Sequence, residues 1–293
     1  MKFIINEYNL FNSKIKNEID IICISDIHSD IDRFKQIIKI ANKLQIKIIL
    51  ISGDLVDSIN DKRNNELFKL IKSFSENVSI YIAKGNHDMI SLKKKKKNYC
   101  DNKNIYDKLS QLKNVYVFGK NIDTISISND INISSLTLPL KWYLLREKNK
   151  YFNDFFKNDK MVNTNKFNIL LAHSPKGLIN NNLIRKDLDY IKDMNLILCG
   201  HMHAGLRPIF LRNKNGHSGL VGPYKTFFPK NAYGLYNNDN SSMIISGGIT
   251  KLSDSSSGII RMFNNLFSSE IELIHLKKGK NHNLNLTKRM KVN

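Results

Sequence analysis

The chain has little of what staples or anchors a fold from outside its own core. It has three cysteines, Cys23, Cys100 and Cys199, in 293 residues. An odd, scattered set with two members inside apolar runs argues for reduced, buried thiols and excludes a disulfide framework. A reducing, cytoplasmic setting is the simplest one for such a chain, with peripheral attachment to a membrane also open. No apolar run approaches the roughly 18 residues that a membrane span needs. The opening segment, MKFIINEYNLFNSKIKNEID, is broken by Glu7, Lys14, Lys16 and Glu18 and lacks a signal-peptide apolar region. Acidic residues are scarce too: 26 Asp and Glu against 46 Lys and Arg, a formal charge of +20.

That charge suggests an anionic partner, whether a phosphate-bearing substrate, a nucleic acid or an anionic membrane surface. It selects none of them, because Lys, Asn and Ile crowd the whole chain, as an AT-rich genome would impose. A hydrophobic content of 41% is that of a folded globular protein, with ample material for a core. No internal repeat or linker is visible, so residues 1–276 are expected to form one domain. The basic tail, 277–293, is expected to fray.

Short apolar runs alternate with amphipathic ones through the first half. Ile19–Ile24, Ile46–Ile51 and Val78–Ala83 read as strands, with helices over Ile31–Leu44 and Asn64–Phe74 between them. Such repetition builds a mostly parallel sheet through right-handed crossovers. Val115–Phe118, Thr124–Ser128 and Ile131–Leu138 follow as strands without helices, then an insert from Lys141 to about Asp159. Phe167–Ala172 and Leu196–Cys199 read as buried strands separated by helical sequence. Ile209–Leu211, Met243–Ile245 and Ile271–Leu276 complete a second set. The expected architecture is α/β, a four-layer α-β-β-α sandwich of two mixed sheets.

Polar residues gather where these strands end. Asp26 and His28 follow the first strand; Gly53, Asp54 and Asp57 the second; Gly85, Asn86, His87 and Asp88 the third. His173 follows Phe167–Ala172, and Gly200, His201 and His203 follow Leu196–Cys199. Ligand sites in open α/β sheets form at carboxyl ends of strands. Any one of these turns is explained by capping or turn chemistry alone. Five together, all carrying Asp, Asn or His, are poorly explained as independent turns. Carboxylate and imidazole suit Mn, Fe or Zn, and the absence of a thiolate at any strand end argues against a structural zinc. A carboxylate can bridge two metals about 3.5–4 Å apart, and such a pair polarises a phosphoryl group and acidifies a shared water to hydroxide.

Asp26-x-His28, Gly53-Asp54-x-x-Asp57, Gly85-Asn86-His87-Asp88, His173 and Gly200-His201-x-His203 resemble, in order, the five motifs of the calcineurin-like metallophosphoesterases. The match spans roughly residues 19 to 205. The resemblance implies two divalent ions (Mn²⁺, Fe²⁺/Fe³⁺ or Zn²⁺), one held by Asp26, His28 and His203, the other by Asn86, His173 and His201, with Asp54 between them. It implies that a metal-bridging hydroxide hydrolyses a phosphomonoester or diester, with His87 facing the leaving group and oriented by Asp57 or Asp88. GHMHAGLRPIF, and later YGLY, SGGI and RMFNNLFSSEIELIHL, are similar to a prokaryotic branch that reads GHTHGGQ at the last motif. Here Ala204 and Leu206 replace its Gly and Gln. That branch includes lipid-directed and cell-envelope enzymes, often with an N-terminal anchor not seen in this chain, and it points to a small-molecule or lipid-headgroup phosphoester as substrate.

Two other readings stand beside this one. The lysine run Lys93–Lys97, starting five residues after Asp88, raises a DNA or RNA nuclease. Only Tyr99 lies near it to stack on single-stranded bases. A non-catalytic scaffold of the same fold is the other, although His87 and all seven candidate ligands are present. Arg207 and Lys225 are candidates for contacting phosphate, while His217, His275 and His282 match no motif.

Overall fold

The protein is described by a computed structural model over residues 3–90, 104–119, 124–143, 163–180, 183–188, 191–208, 211, 216–223, 226–249 and 267–292. The chain starts with strands β1 (Phe3–Asn12), β2 (Ile19–Ile24), β3 (Ile48–Ser52), β4 (Ser79–Ala83) and β5 (Val115–Val117). Helices α1 (Ile31–Lys43), α2 (Asn64–Phe74) and α3 (Ile105–Leu109) lie between β2 and β5. Asp30 starts α1 by accepting the Arg33 N–H, and the helix buries Phe34, Ile37, Ile40 and Ala41. Then come β6 (Thr124–Ser126), β7 (Ile131–Leu136), β8 (Phe167–Ala172), the small hairpin β9 (Ile179–Asn180) and β10 (Leu183–Ile184), and β11 (Leu196–Cys199). β12 (Gly216–His217), a second small hairpin of β13 (Val221–Gly222) and β14 (Thr226–Phe227), β15 (Tyr233–Asn238) and β16 (Ser241–Ile245) follow. β17 (Ser269–Lys278) and β18 (Asn283–Val292) close the chain.

Two seven-stranded mixed sheets result, ordered β18-β1-β17-β2-β3-β4-β5 and β12-β15-β16-β11-β8-β7-β6. β2 to β5 run parallel, as do β7, β8, β11 and β16. Leu50, Tyr81 and Cys23 of one sheet meet Ile169, Leu171 and Leu198 of the other in the central core. The opposite face of the first sheet packs on α1, α2 and α3 through Ile22, Ile51, Phe34 and Leu67. The fold is an α/β sandwich. The crossovers β2-α1-β3, β3-α2-β4 and β4-α3-β5 bring the ends of β2, β3 and β4 to one edge.

Several expectations change. The sequence between β8 and β11 is not helical among the described residues. Leu178, Ile184, Ile191 and Met194 instead cover the second sheet from the β9–β10 hairpin and turns. Phe3–Asn12 of the opening segment is a strand, β1, which reads poorly because its apolar side chains change face midway. Phe3 and Ile5 point to the helices and Tyr8 and Leu10 to the other sheet. The tail does not fray: β18 pairs antiparallel with β1 along its length. A bulge between Glu7 and Tyr8 turns β18 over, so Leu284 and Leu286 face the other sheet while Met290 and Val292 face the helix layer. Leu211 is described but is not in a strand, and Ile209 and Phe210 lie outside the described residues. So do Lys93–Lys97, Tyr99, Cys100, Lys225, the insert beyond Tyr143 up to 162, and the side chain of His217. Cys23 and Cys199 are free and buried.

Candidate metal centre

The turns after β2, β3, β4, β8 and β11 are sewn together before any side chain is considered. The N–H groups of Ile27 and His28 both donate to the Asp54 carbonyl, at 2.8 and 3.1 Å, and Gly200 N–H donates to the His173 carbonyl at 2.9 Å. Ile249 N–H, from the turn after β16, donates to the Ser25 carbonyl at 2.9 Å and joins the second sheet to the first. Asp26, His28, Asp54, His201 and His203 all hold φ between +47° and +67°. Asp and His tolerate this left-handed backbone better than most residues, yet each instance costs about 1–3 kcal/mol and persists only where the surroundings enforce it.

Missing side chains matter as much as present ones. A Cβ at Gly53 would lie 2.5 Å from the His173 ring, and Gly53 has φ +101°. One at Gly85 would collide with the Asp54 carboxylate and lie 2.7 Å from the His173 ring. One at Gly200 would sit 2.6 Å from an Asp26 oxygen. These three glycines are the spaces in which Asp54, His173 and Asp26 lie.

Eight of the ten site residues anticipated from the sequence fall into three groups at this edge, with Asn86 and Asp88 in the turn after β4 outside them. Asp26, His28 and His203 place ligand-type atoms near one another, with His203 Nε2 3.6 Å and His28 Nε2 3.9 Å from Asp26 Oδ1. Asp54, His173 and His201 form a second, wholly buried group, with His173 Nε2 3.0 Å from Asp54 Oδ2. The same Asp54 oxygen is 3.8 Å from His28 Nε2, so this carboxylate stands between the two groups. His28 and His87 flank Asp57 in the third, at 3.6 and 3.5 Å from its Oδ1.

Charge is distributed unevenly among the imidazoles. Burial pushes His28 and His201 down to about 3, which keeps both rings neutral with a lone pair to offer. Burial also opposes a charge on His173, but Asp54 and Asp26 outweigh it and push that group up to about 9. Burial acts to raise Asp26 and Asp54, and the imidazoles around them, His203 and His173 first, hold both below the ordinary carboxylate range. His173 Nδ1 lies 3.0 Å from the Ser52 carbonyl, to which it donates, so the other nitrogen carries the lone pair in the neutral ring.

The residues fit divalent cations. The Asn86 side-chain oxygen and both ring nitrogens of His28 are buried without a hydrogen-bond partner, an arrangement that is costly unless a cation completes it. Oxygen and imidazole donors without thiolate are the donor set of Mn, Fe or Zn.

His87 Nδ1 donates to the Asp57 carbonyl at 2.8 Å, and the ring meets His28 edge-on at 4.6 Å. Asp88 is corrected by its surroundings: its carboxylate accepts from the N–H groups of Asp54, Gly85 and Val56, at 2.8, 2.7 and 3.0 Å, and from the Tyr106 hydroxyl. It ties the second and third turns together rather than facing His87. Burial, then the charge of Asp54, pushes Asp88 up to about 6.

Two contributors were not foreseen. Tyr143 is buried with its ring 5.2 Å from His201 and 6.1 Å from His173, walling the second group. Ser29 Oγ accepts from Asp57 N–H at 3.1 Å and so braces the third. Neither carries a spacing signal, since Tyr143 follows an apolar stretch and Ser29 reads as part of a helix cap. Arg207 donates to the Ser218 carbonyl at 3.0 Å. His275 pairs with Asp20 and His282 bonds Asn12 and Ser242, far along the chain from the motifs.

The sequence model of calcineurin-like phosphoesterases matches residues 19–205, the stretch that supplies all three groups. A protein of Helicobacter pylori called an uncharacterized metallophosphoesterase is 27% identical over 227 residues, covering 75% of this chain and 54% of its own length. One of Campylobacter jejuni with the same designation is 24% identical over 198 residues, covering 65% and 46%. The chain thus spans about half the length of the curated relatives it matches. Among solved structures, a dimetal phosphatase from Danio rerio is similar over 78% of this chain and 87% of its own, at 9% identity and a TM-score of 0.41.

Proposed function

Since the chain belongs to the calcineurin-like phosphoesterase family, we propose that it is a hydrolase of phosphoester bonds working through two divalent cations. The observation that carries this is the shared Asp54, standing between Asp26-His28-His203 on one side and His173-His201 on the other. Asn86, with its buried side-chain oxygen, completes the second set. Bound there, divalent cations supply positive charge to a phosphoryl group and acidify water.

The remaining steps belong to the protein. Neutral His28 and His201 keep their donor atoms available at any ordinary pH. Gly53, Gly85 and Gly200 keep the pocket floor clear. His87, partly exposed and bonded to the Asp57 carbonyl, gives a proton to the departing oxygen in this reading, and its contact with Asp57 supports that role. The substrate read from the sequence is a small-molecule or lipid-headgroup phosphoester, as monoester or diester. Manganese is the first ion to test.

The test is turnover after chelation. Protein dialysed against a chelator should be inactive on a panel of phosphomonoesters, diesters, nucleotides and lipid-headgroup phosphates, and Mn²⁺ should restore it. Full activity without metal would refute the two-cation reading. Metal binding without turnover of any panel member would favour a scaffold, and selective cleavage of DNA or RNA a nuclease.

A further inference from the structure

Phe227 is 75% exposed and Phe228 72%, the largest exposures among the large apolar side chains described. Leu211 and Leu220 are exposed as well, so four of the six such residues fall within one short stretch of chain. Phe227 ends β14, and the left-handed backbone of Phe228, φ +49°, interrupts the strand alternation that would turn one ring inward. A single exposed apolar residue is ordinary; a paired, local concentration marks an interaction surface.

The hairpin bearing them is fastened to the turn that carries His203. Leu220 N–H donates to the Gly205 carbonyl at 2.7 Å, Phe228 N–H to the Leu220 carbonyl at 2.9 Å, and Gly219 N–H to the Pro229 carbonyl at 3.0 Å. Gly205 and Gly219 meet so closely that a Cβ on either would strike the other's backbone. The hairpin is therefore held at a fixed offset from a candidate metal ligand.

Its electrostatics choose among occupants. No acidic residue occurs between Asp193 and Asp239, whereas Arg207, Arg212, Lys214, Lys225 and Lys230 do. A second copy, with the same charge of +20, would be repelled. A stretch of chain with exposed aromatics, several Lys and Arg and no acid has the composition of segments that lie in the headgroup layer of anionic membranes.

We propose that the β13–β14 hairpin docks this protein on an anionic lipid bilayer, with Phe227 and Phe228 entering the headgroup–acyl boundary. Docking needs only the hairpin. That it presents the metal centre to a phosphoester borne by a lipid rests on the function proposed above.

Cosedimentation of the full, metal-loaded chain with vesicles tests this without reference to turnover, so failed hydrolysis and failed docking are separately visible. The chain should sediment with phosphatidylcholine vesicles containing phosphatidylglycerol and not with phosphatidylcholine alone. Replacing both rings (Phe227→Ser with Phe228→Ser) should weaken the partition by roughly tenfold or more with an unchanged thermal unfolding midpoint, since neither ring packs in the core. Lys230→Gln should give a smaller loss that disappears at high salt. A wild-type chain that ignores anionic vesicles, or a double variant that binds them equally well, would overturn the proposal. So would binding to a single-stranded oligonucleotide but not to vesicles. A lipid-free change of mass in the double variant would also overturn it, by assigning the rings to a second copy.

Discussion

At the scale of single residues, the proposed function gives Asp54 the holding of cations and His87 the use of them. Asp54 offers one oxygen to the His87 N–H at 2.8 Å and the other to His173 at 3.0 Å. Asp54→Ala is expected to lower metal content at both groups, whereas His203→Ala, at the half-buried rim, should lower it at one; elemental analysis of purified protein reads the difference. An Asp54→Ala protein retaining both ions would remove the bridge. His87→Ala should keep both ions yet lose about 10²–10⁴-fold on esters with alkoxide leaving groups, and much less on a nitrophenyl ester that departs unprotonated. Equal losses on the two substrates would give His87 a positioning role instead. The candidate ligands were legible in the sequence because each follows a buried strand within a few residues, and strand ends are readable from apolar runs. Asp88 was read as one of two orienting candidates for the same reason. It has the right address, but its partners are backbone N–H groups of a neighbouring turn and Tyr106, eighteen residues on.

Among the elements, the turns depend on glycine and the outer edge on a strand with misleading composition. Gly85→Ala would drive a methyl group into the Asp54 carboxylate and against the His173 ring. Overpacking of this kind typically costs about 1–3 kcal/mol, so both the unfolding midpoint and the metal content should fall. A variant that melts normally and binds two ions would mean that the turn relaxes outward. β18 gives a test with the opposite emphasis. Its residues Lys288, Arg289 and Lys291 give the tail the charge of a solvated segment, and only every second position betrays a strand. Leu284 is 1% exposed in the central core. Leu284→Ala should therefore cost about 2–5 kcal/mol in denaturant unfolding, the range for a buried leucine, where a frayed tail would register nothing. β1 escaped the sequence because it is apolar on one face for half its length and on the other face for the rest, and β18 because its basic residues hide a regular alternation.

Across the whole molecule, what the sequence does not disclose is how the sheets close on each other. β17 inserts between β1 and β2 from the far end of the chain, and no local pattern announces so distant a pairing. Its arrival brings Glu270 and Glu272 into the buried seam between the sheets. There Ser246, just beyond β16 of the other sheet, donates its hydroxyl to Glu272 at 2.8 Å. Burial, and then the charge of Glu270, pushes Glu272 from 4.5 up to about 7. The folded chain therefore binds this proton more tightly than the unfolded chain does. Stability from this group is complete below its ordinary pKa and is lost as pH rises through about 7. Glu272→Gln keeps an uncharged side chain of the same shape, so its advantage over wild type should grow between about pH 5 and 8 and then level off. Urea unfolding of both metal-loaded proteins across that range measures it. Parallel curves would mean that Glu272 is ionised and compensated within the seam, and the sheets would then be joined there by a charged contact instead of a shared proton.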